Sequence, residues 1–136
     1  MNVKGYITIK SLNKSKNLLD LELGQGCIFE QDNILSAFYH NGEPMQYLAY
    51  IEFSSNKERG NHYHKYKEEN ICIIKGKVKA KYWLPETPQE IYEVELKAGE
   101  IVNIKPGCAH SYLAQDFAVA VEFSPNKYIQ GDTFYI

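Results

Sequence analysis

The sequence has one arginine, one tryptophan and three cysteines, Cys27, Cys72 and Cys108, with no CxxC pair among them. An odd, widely spaced cysteine set argues against a disulfide framework and fits a reducing compartment. The opening residues MNVKGYITIK have no apolar core of a leader peptide, and no apolar run approaches membrane-spanning length. A cytoplasmic chain with no membrane partner is the expectation. The formal net charge is −2 and no basic stretch is interleaved with aromatics, which speaks against a nucleic-acid partner. Helical periodicity is nearly absent: only Ser11 to Leu23, with Leu18, Leu19 and Leu21, suggests a short helical turn. There is no internal repeat, low-complexity tract or linker, so residues 1–136 read as a single domain.

What the chain does hold is β-forming residues, with 11 Tyr, 6 Phe and an apolar fraction of 44%. Short candidate strands alternate with turn signals, the pattern of an all-β sandwich or barrel. Candidates are Val3–Ile9, Cys27–Glu30, Met45–Phe53, Asn61–Tyr66, Glu69–Ile74, Lys75–Tyr82, Ile91–Leu96, Ile101–Ile104, Ser111–Leu113 and Phe117–Phe123, with Asp132–Ile136 as an edge strand. Asn41-Gly42-Glu43-Pro44 is a turn, Ser54–Gly60 a polar loop and Pro85–Gln89 a loop with two prolines. In Met45–Phe53, Tyr47, Ala49, Ile51 and Phe53 share one face and Tyr50 and Glu52 the other. Lys75, Lys77, Lys79 and Lys81 alternate with Gly76, Val78, Ala80 and Tyr82, a half-buried strand with a lysine face in water.

Chemistry concentrates in three of the four histidines. His62 and His64 are two residues apart on a candidate strand, so both side chains leave the same face. Each brings nitrogens that need partners if buried, which makes plain packing a poor account of the pair. Glu69 opens the next strand; if it faces inward with Ile71 and Ile73 its carboxylate lies beside the imidazoles and Glu68 points elsewhere, but charge alone does not choose between Glu68 and Glu69, and the motif spacing given below does. His110 follows the turn Lys105-Pro106-Gly107 and enters a later strand. Three imidazoles and a carboxylate suit a first-row divalent metal such as Zn, Fe, Mn or Ni. They suit acid–base chemistry near neutral pH equally well. The fourth, His40, precedes a turn and reads as a surface residue.

These residues resemble the cupin superfamily. Its first motif, G-x5-H-x-H-x(3,4)-E-x6-G, is matched by His62, His64, Glu69 and Gly76, and its second, G-x5-P-x-G-x2-H-x3-N, by Gly99, Gly107 and His110. Asn56 stands in place of the leading Gly, Lys105 in place of the Pro, and Ala114 in place of the Asn. The resemblance implies a small cupin β-barrel, a double-stranded β-helix or jelly roll. The stretch Arg59-Gly60-Asn61-His62-Tyr63-His64-Lys65 is similar to the Arg-Gly-x-His-x-His-Lys of ketoisomerases acting on dTDP-4-keto-6-deoxyglucose. It is also similar to the cupin domains of capsule-sugar epimerases and, more distantly, to the dTDP-4-dehydrorhamnose 3,5-epimerase group.

That resemblance implies a cytoplasmic homodimer that moves protons with the pair matching His62 and His64. Its substrate would be a nucleotide-linked keto-deoxy sugar of surface polysaccharide biosynthesis. The ketoisomerases work without metal and usually carry Gln where this chain has Glu69, so Glu69 favours a retained metal site. Arg59 is a candidate phosphate clamp, and Tyr63 and Tyr66 are candidates for stacking on a base or sugar. Tyr50 is a weaker candidate for proton donor or stacking partner, and reads equally as packing. The alternatives are a metal-dependent cupin isomerase, lyase or dioxygenase for another small molecule, and a non-catalytic carbohydrate-binding cupin.

Overall fold

Alternation of apolar and polar residues decides which face of each strand turns inward. The computed structural model describes residues 2–15, 26–31, 34–40 and 44–136. Its strands are β1 (Ile7–Ser11), β2 (Asn13–Ser15), β3 (Gly26–Gln31), β4 (Ile34–His40), β5 (Tyr47–Phe53), β6 (Glu58–Tyr63), β7 (Glu69–Lys75), β8 (Lys77–Leu84), β9 (Thr87–Lys97), β10 (Glu100–Ile104), β11 (Ala109–Leu113), β12 (Ala118–Ser124) and β13 (Phe134–Tyr135). Ten form two antiparallel sheets, ordered β1-β10-β7-β12-β5 and β13-β6-β11-β8-β9, and β2, β3 and β4 form a smaller third. The architecture is all-β, as expected. No helix among the described residues is long and apolar enough to cross a membrane.

The inward faces of both large sheets meet in one apolar core. Ile51, Phe53, Ile71, Ile73, Val102 and Ile104 come from the first sheet, and Val78, Ala80, Tyr82, Leu84 and Tyr112 from the second. On β8 the lysines stay in water while Val78, Ala80 and Tyr82 are fully buried, as their alternation predicts. Cys72 and Cys108 are buried and unpaired, and burial pushes both thiols up to about 12, leaving them inert.

Several boundaries differ from expectation for identifiable reasons. Val3–Tyr6 is a 3₁₀ turn rather than strand, because the Asn2 side chain accepts from the Lys4 N–H and Val3 drops into the core. The polar segment expected to be loop contributes Glu58, Arg59 and Gly60 to β6, where they pair with Leu113, Tyr112 and Ser111. Their side chains look loop-like because that end of the strand is in water. β9 starts at Thr87 and includes Pro88, which an edge strand tolerates because one row of its N–H groups has no partner strand. The tail supplies β13 at the free edge of β6. The helical turn suggested around Leu18, the turn at 41–43 and the side chain of His40 lie outside what is described.

Asn56, in place of the leading motif glycine, has φ of 58°. That is the left-handed region a glycine would enter freely and asparagine tolerates better than most residues. Asn56 therefore takes a backbone conformation that a glycine at this position would also allow.

Candidate active site

A cavity of about 300 Å³ opens between the two sheets. β6 and β11 place two of its histidines by direct pairing, because His62 and His110 are cross-strand partners with ring centroids 4.8 Å apart. Just before His62 the register slips, so that Ser111 faces Gly60 and Asn61 is the extra residue. Gly60 and Asn61 both have positive φ. A Cβ on Gly60 would lie 2.7 Å from the His110 carbonyl oxygen, so the bulge needs glycine there. β7 brings Glu69 across from the opposite sheet, with Ile71 and Ile73 on the same inward face.

His64 lies just past the end of β6 rather than within it. Its Nδ1 is 2.8 Å from the Asp132 carbonyl oxygen, and a carbonyl only accepts, so Nδ1 carries the proton. His110 is held the same way, with Nδ1 3.2 Å from the Cys108 carbonyl. The Nε2 atoms then turn to one carboxylate: His64 Nε2 is 2.8 Å from Glu69 Oε1 and His110 Nε2 is 3.2 Å from Oε2. The first contact has the distance of an ion pair but not the direction of a hydrogen bond. In neutral rings these would be bare lone pairs facing a carboxylate. A cation beside the carboxylate relieves that arrangement: the Lys67 ammonium 3.0 Å from Glu69 Oε1, a proton on an imidazole or a metal ion would each serve.

The donor set fits a first-row divalent metal. The ligand atoms of His62, His64 and His110 lie within 4.8 Å of one another, Glu69 adds a carboxylate, and two backbone carbonyls fix the tautomers a metal would use. His62 Nδ1 is buried without a partner, which is unusual for a buried polar atom and calls for one.

Sequence reasoning missed three charged or polar residues of this site. Lys67 is buried, with Nζ 3.0 Å from Glu69 Oε1, 2.9 Å from Glu122 Oε1 and 4.1 Å above the Tyr47 ring. Glu122 lines the cavity from β12, and Asp132 from the tail packs against the turn after His64. A lone carboxylate in the apolar run Val119–Phe123 was the available signal for Glu122. Lys67 shares the sequence parity of Glu69, but its charged neighbours Lys65 and Glu68 hide it.

The charges sort the titrating groups. Burial drives His62 down to about 4, with His110 and His64 adding to the effect, so the ring is neutral at pH 7. Burial also pulls on His64, but the Glu69 carboxylate outweighs it and holds His64 above the ordinary imidazole value. Burial keeps His110 low despite Glu69. Burial alone would raise Glu69, yet His110, His64 and Lys67 hold it well below the usual carboxylate range. A His110 kept neutral carries no charge, so Lys67, together with a protonated His64, is the cation on which that direction rests. Burial and the neighbouring Glu69 push Glu122 up to about 7, against the pull of Lys67.

The other candidates separate cleanly. Arg59 lines the cavity. Tyr50 is 67% exposed on the outward face of β5 and does not line it. Strand alternation puts Tyr47 inward instead, and Tyr47 stacks on Tyr128 at 6.3 Å. Tyr63 packs on Phe134 at 5.2 Å, and Tyr66 is 67% exposed; neither lines the cavity. Glu68 points away, its carboxylate bonding Asn103 and Lys105.

No protein-family model and no curated relative matches the chain. Solved structures do. The capsular polysaccharide assembling protein CapF from Staphylococcus aureus aligns with a TM-score of 0.63 at 19% identity, over 71% of this chain and 28% of that one. The chain thus spans under a third of that protein's length. The 3,4-ketoisomerase QdtA from Thermoanaerobacterium thermosaccharolyticum, solved in complex with TDP-4-keto-6-deoxyglucose, aligns at 0.69 and 13% identity over 96% of this chain and 88% of that one. A 3,4-ketoisomerase from Helicobacter canadensis aligns at 0.70 and 11% identity over 96% and 90%. Ketoisomerases are among the groups that the Arg59–Lys65 stretch is similar to, and at these identities the likeness is one of fold.

Proposed function

We propose that the chain is an isomerase or epimerase acting on a nucleotide-linked keto-deoxy sugar, with His62 as the general base. One observation carries this reading. Of the three imidazoles, two are pinned through Nδ1 to backbone carbonyls, while His62 lines the cavity with its Nδ1 unpartnered. An unpinned imidazole that burial keeps neutral, beside one that Glu69 shifts toward its charged form, can divide the roles of base and acid between them. The likeness in fold to sugar-nucleotide ketoisomerases supports the choice of substrate class.

A proton next to a carbonyl is acidic because the charge left behind moves onto oxygen. His62 would take that proton. Lys67, or His64 when protonated, would stabilise the oxyanion, and the proton would return at the neighbouring carbon or on the opposite face. The cavity is at the small end of ligand sites and suits the sugar ring, leaving the diphosphate to Arg59. The homodimer and the role in surface polysaccharide synthesis belong to the same proposal.

The test is incubation with dTDP-4-keto-6-deoxyglucose in D₂O, read by NMR. Deuterium uptake next to the carbonyl, with a new isomer, is expected from the native chain and not from His62→Ala. Absence of exchange with dTDP- and UDP-linked keto sugars alike would sink the reading.

The second reading is a metal-dependent enzyme on another small molecule, favoured by the two Nε2 lone pairs that converge on Glu69. A bound metal would supply Lewis acidity toward a substrate oxygen. Metal content of the purified chain decides: about one Zn, Fe, Mn or Ni per chain, lost in His64→Ala, supports it, and none in protein prepared without chelator removes it.

A further inference from the structure

Asp132 touches the site twice. Its carboxylate sits in the turn after His64 and accepts from three successive backbone N–H groups: Oδ1 from Lys65 at 2.8 Å and Tyr66 at 3.2 Å, Oδ2 from Tyr66 at 3.3 Å and Lys67 at 3.1 Å. Such a run of amides is an anion-binding concavity, and here the anion is built into the chain. The Asp132 carbonyl accepts from His64 Nδ1 at 2.8 Å. The residue is buried, so these bonds compete little with water.

We propose that Asp132 is the positioning residue of the site, fixing the tautomer of His64 and the direction of Lys67 with one clamp. The carboxylate orders residues 65–67, which sends Lys67 Nζ between Glu69 and Glu122. The same clamp holds the Asp132 carbonyl against His64, so that Nδ1 keeps the proton and Nε2 meets Glu69. β13 follows two residues later and pairs with β6, closing the tail over the histidine strand. A carbonyl exists at every residue, but only an acidic side chain at 132 anchors this one to the turn. The inference deepens the reading of the site as acid–base machinery, although its test needs no substrate.

The experiment is long-range ¹H–¹⁵N NMR of ¹⁵N-histidine-labelled protein, dialysed free of metal, in alkaline solution where the rings are neutral. In the native chain His64 and His110 are both expected as Nδ1–H tautomers. In Asp132→Ala, His64 is expected to become a mixture of tautomers, while His110, held by Cys108, stays unchanged as the internal control. Asp132→Asn keeps one acceptor oxygen and should give an intermediate result; if the alanine variant fails to fold, the asparagine variant decides alone.

A purely structural role would lower the melting temperature and leave the tautomer of the folded protein intact. The proposal is overturned by that outcome, or by a native His64 that does not carry its proton on Nδ1. Failure of the sugar-nucleotide reading would appear separately, as no deuterium exchange in a chain whose tautomers behave as expected.

Discussion

β7 runs through two different environments in three inward-facing residues. Ile71 and Ile73 are buried in hydrocarbon, and Glu69, on the same face, is buried among two imidazoles and an ammonium. Period-two alternation decides that all three point inward, but not what they meet there. The apolar part of the interior is held by area removed from water, which is tolerant in direction. The polar part is held by charges that must match in number and position, because a buried unpaired charge is far more costly than an imperfect apolar contact.

The largest expected effect separates these regions by function. His62→Ala should lower turnover by about 10²–10⁴, the usual contribution of a positioned base, with little loss of stability because the ring is half-buried and one nitrogen is unpaired. Ile73→Ala should do the reverse, costing about 2–5 kcal/mol of stability with turnover per folded molecule nearly unchanged. Steady-state rates beside urea unfolding check both. If His62→Ala unfolds as easily as Ile73→Ala, the division between core and site is wrong.

Next is Lys67→Ala, which leaves Glu69 and Glu122 facing each other without their cation. Breaking a buried charge cluster from one side costs about 3–5 kcal/mol. Adding Glu122→Gln to the lysine variant should recover part of that loss, since it removes one of the two stranded carboxylates. Urea unfolding of the single and double variants reads the coupling directly. Simple additivity would mean that Lys67 contributes packing rather than charge.

Gly60→Ala should cost about 1–3 kcal/mol, the strain of a side chain held at positive φ, plus the clash of its Cβ with the His110 carbonyl at 2.7 Å. The bulge aims His62, so the variant should also lose turnover, which links a backbone feature to the polar region. Full activity at reduced stability would show that the bulge shapes the strand without aiming the histidine.

Much of this division was legible in the sequence, and its gaps follow from range. His62, His64, Glu69 and His110 are spaced along strands and turns, so period two and the motif spacing bring them together. The faces of Met45–Phe53 follow their alternation, yet the sequence points to Tyr50 where Tyr47 is the tyrosine of that strand lining the cavity, beside Tyr112, Tyr128 and Tyr135. Alternation sets Tyr47 inward with Ile51 and Phe53, but not which inward residues border the cavity rather than the core. Asp132 left no local trace, because its partners His64 to Lys67 are more than 60 residues away and a single aspartate in a polar tail looks like any other. The ends of β6 and β9 were misplaced for the opposite reason: exposed polar side chains and a proline mimic loops wherever a strand lies at an edge or in water.

The smallest effect is a stability slope in which the buried histidines and Glu122 pull in opposite directions. Between about pH 4.5 and 6.5 the folded state leaves His62 unprotonated, at about 4, where the unfolded chain would protonate it at 6.5. Stability from this group is present above 6.5 and lost as pH falls through about 4, so it rises with pH in this window. Glu122 works the other way: folded it holds its proton to about 7, unfolded only to 4.5, so its share of stability falls as pH rises. His110, which burial also holds low, adds to the His62 side, so the two histidines oppose Glu122. His62→Ala removes part of the histidine side, so stability should rise less, or fall more, with pH than in the native chain. In Glu122→Gln the opposing group is gone, His62 and His110 act together, and stability should increase with pH. Urea midpoints of the native chain and both variants, measured across that range, test the pair together. Parallel slopes in all three proteins would mean that these two buried groups do not titrate against one another across the cavity.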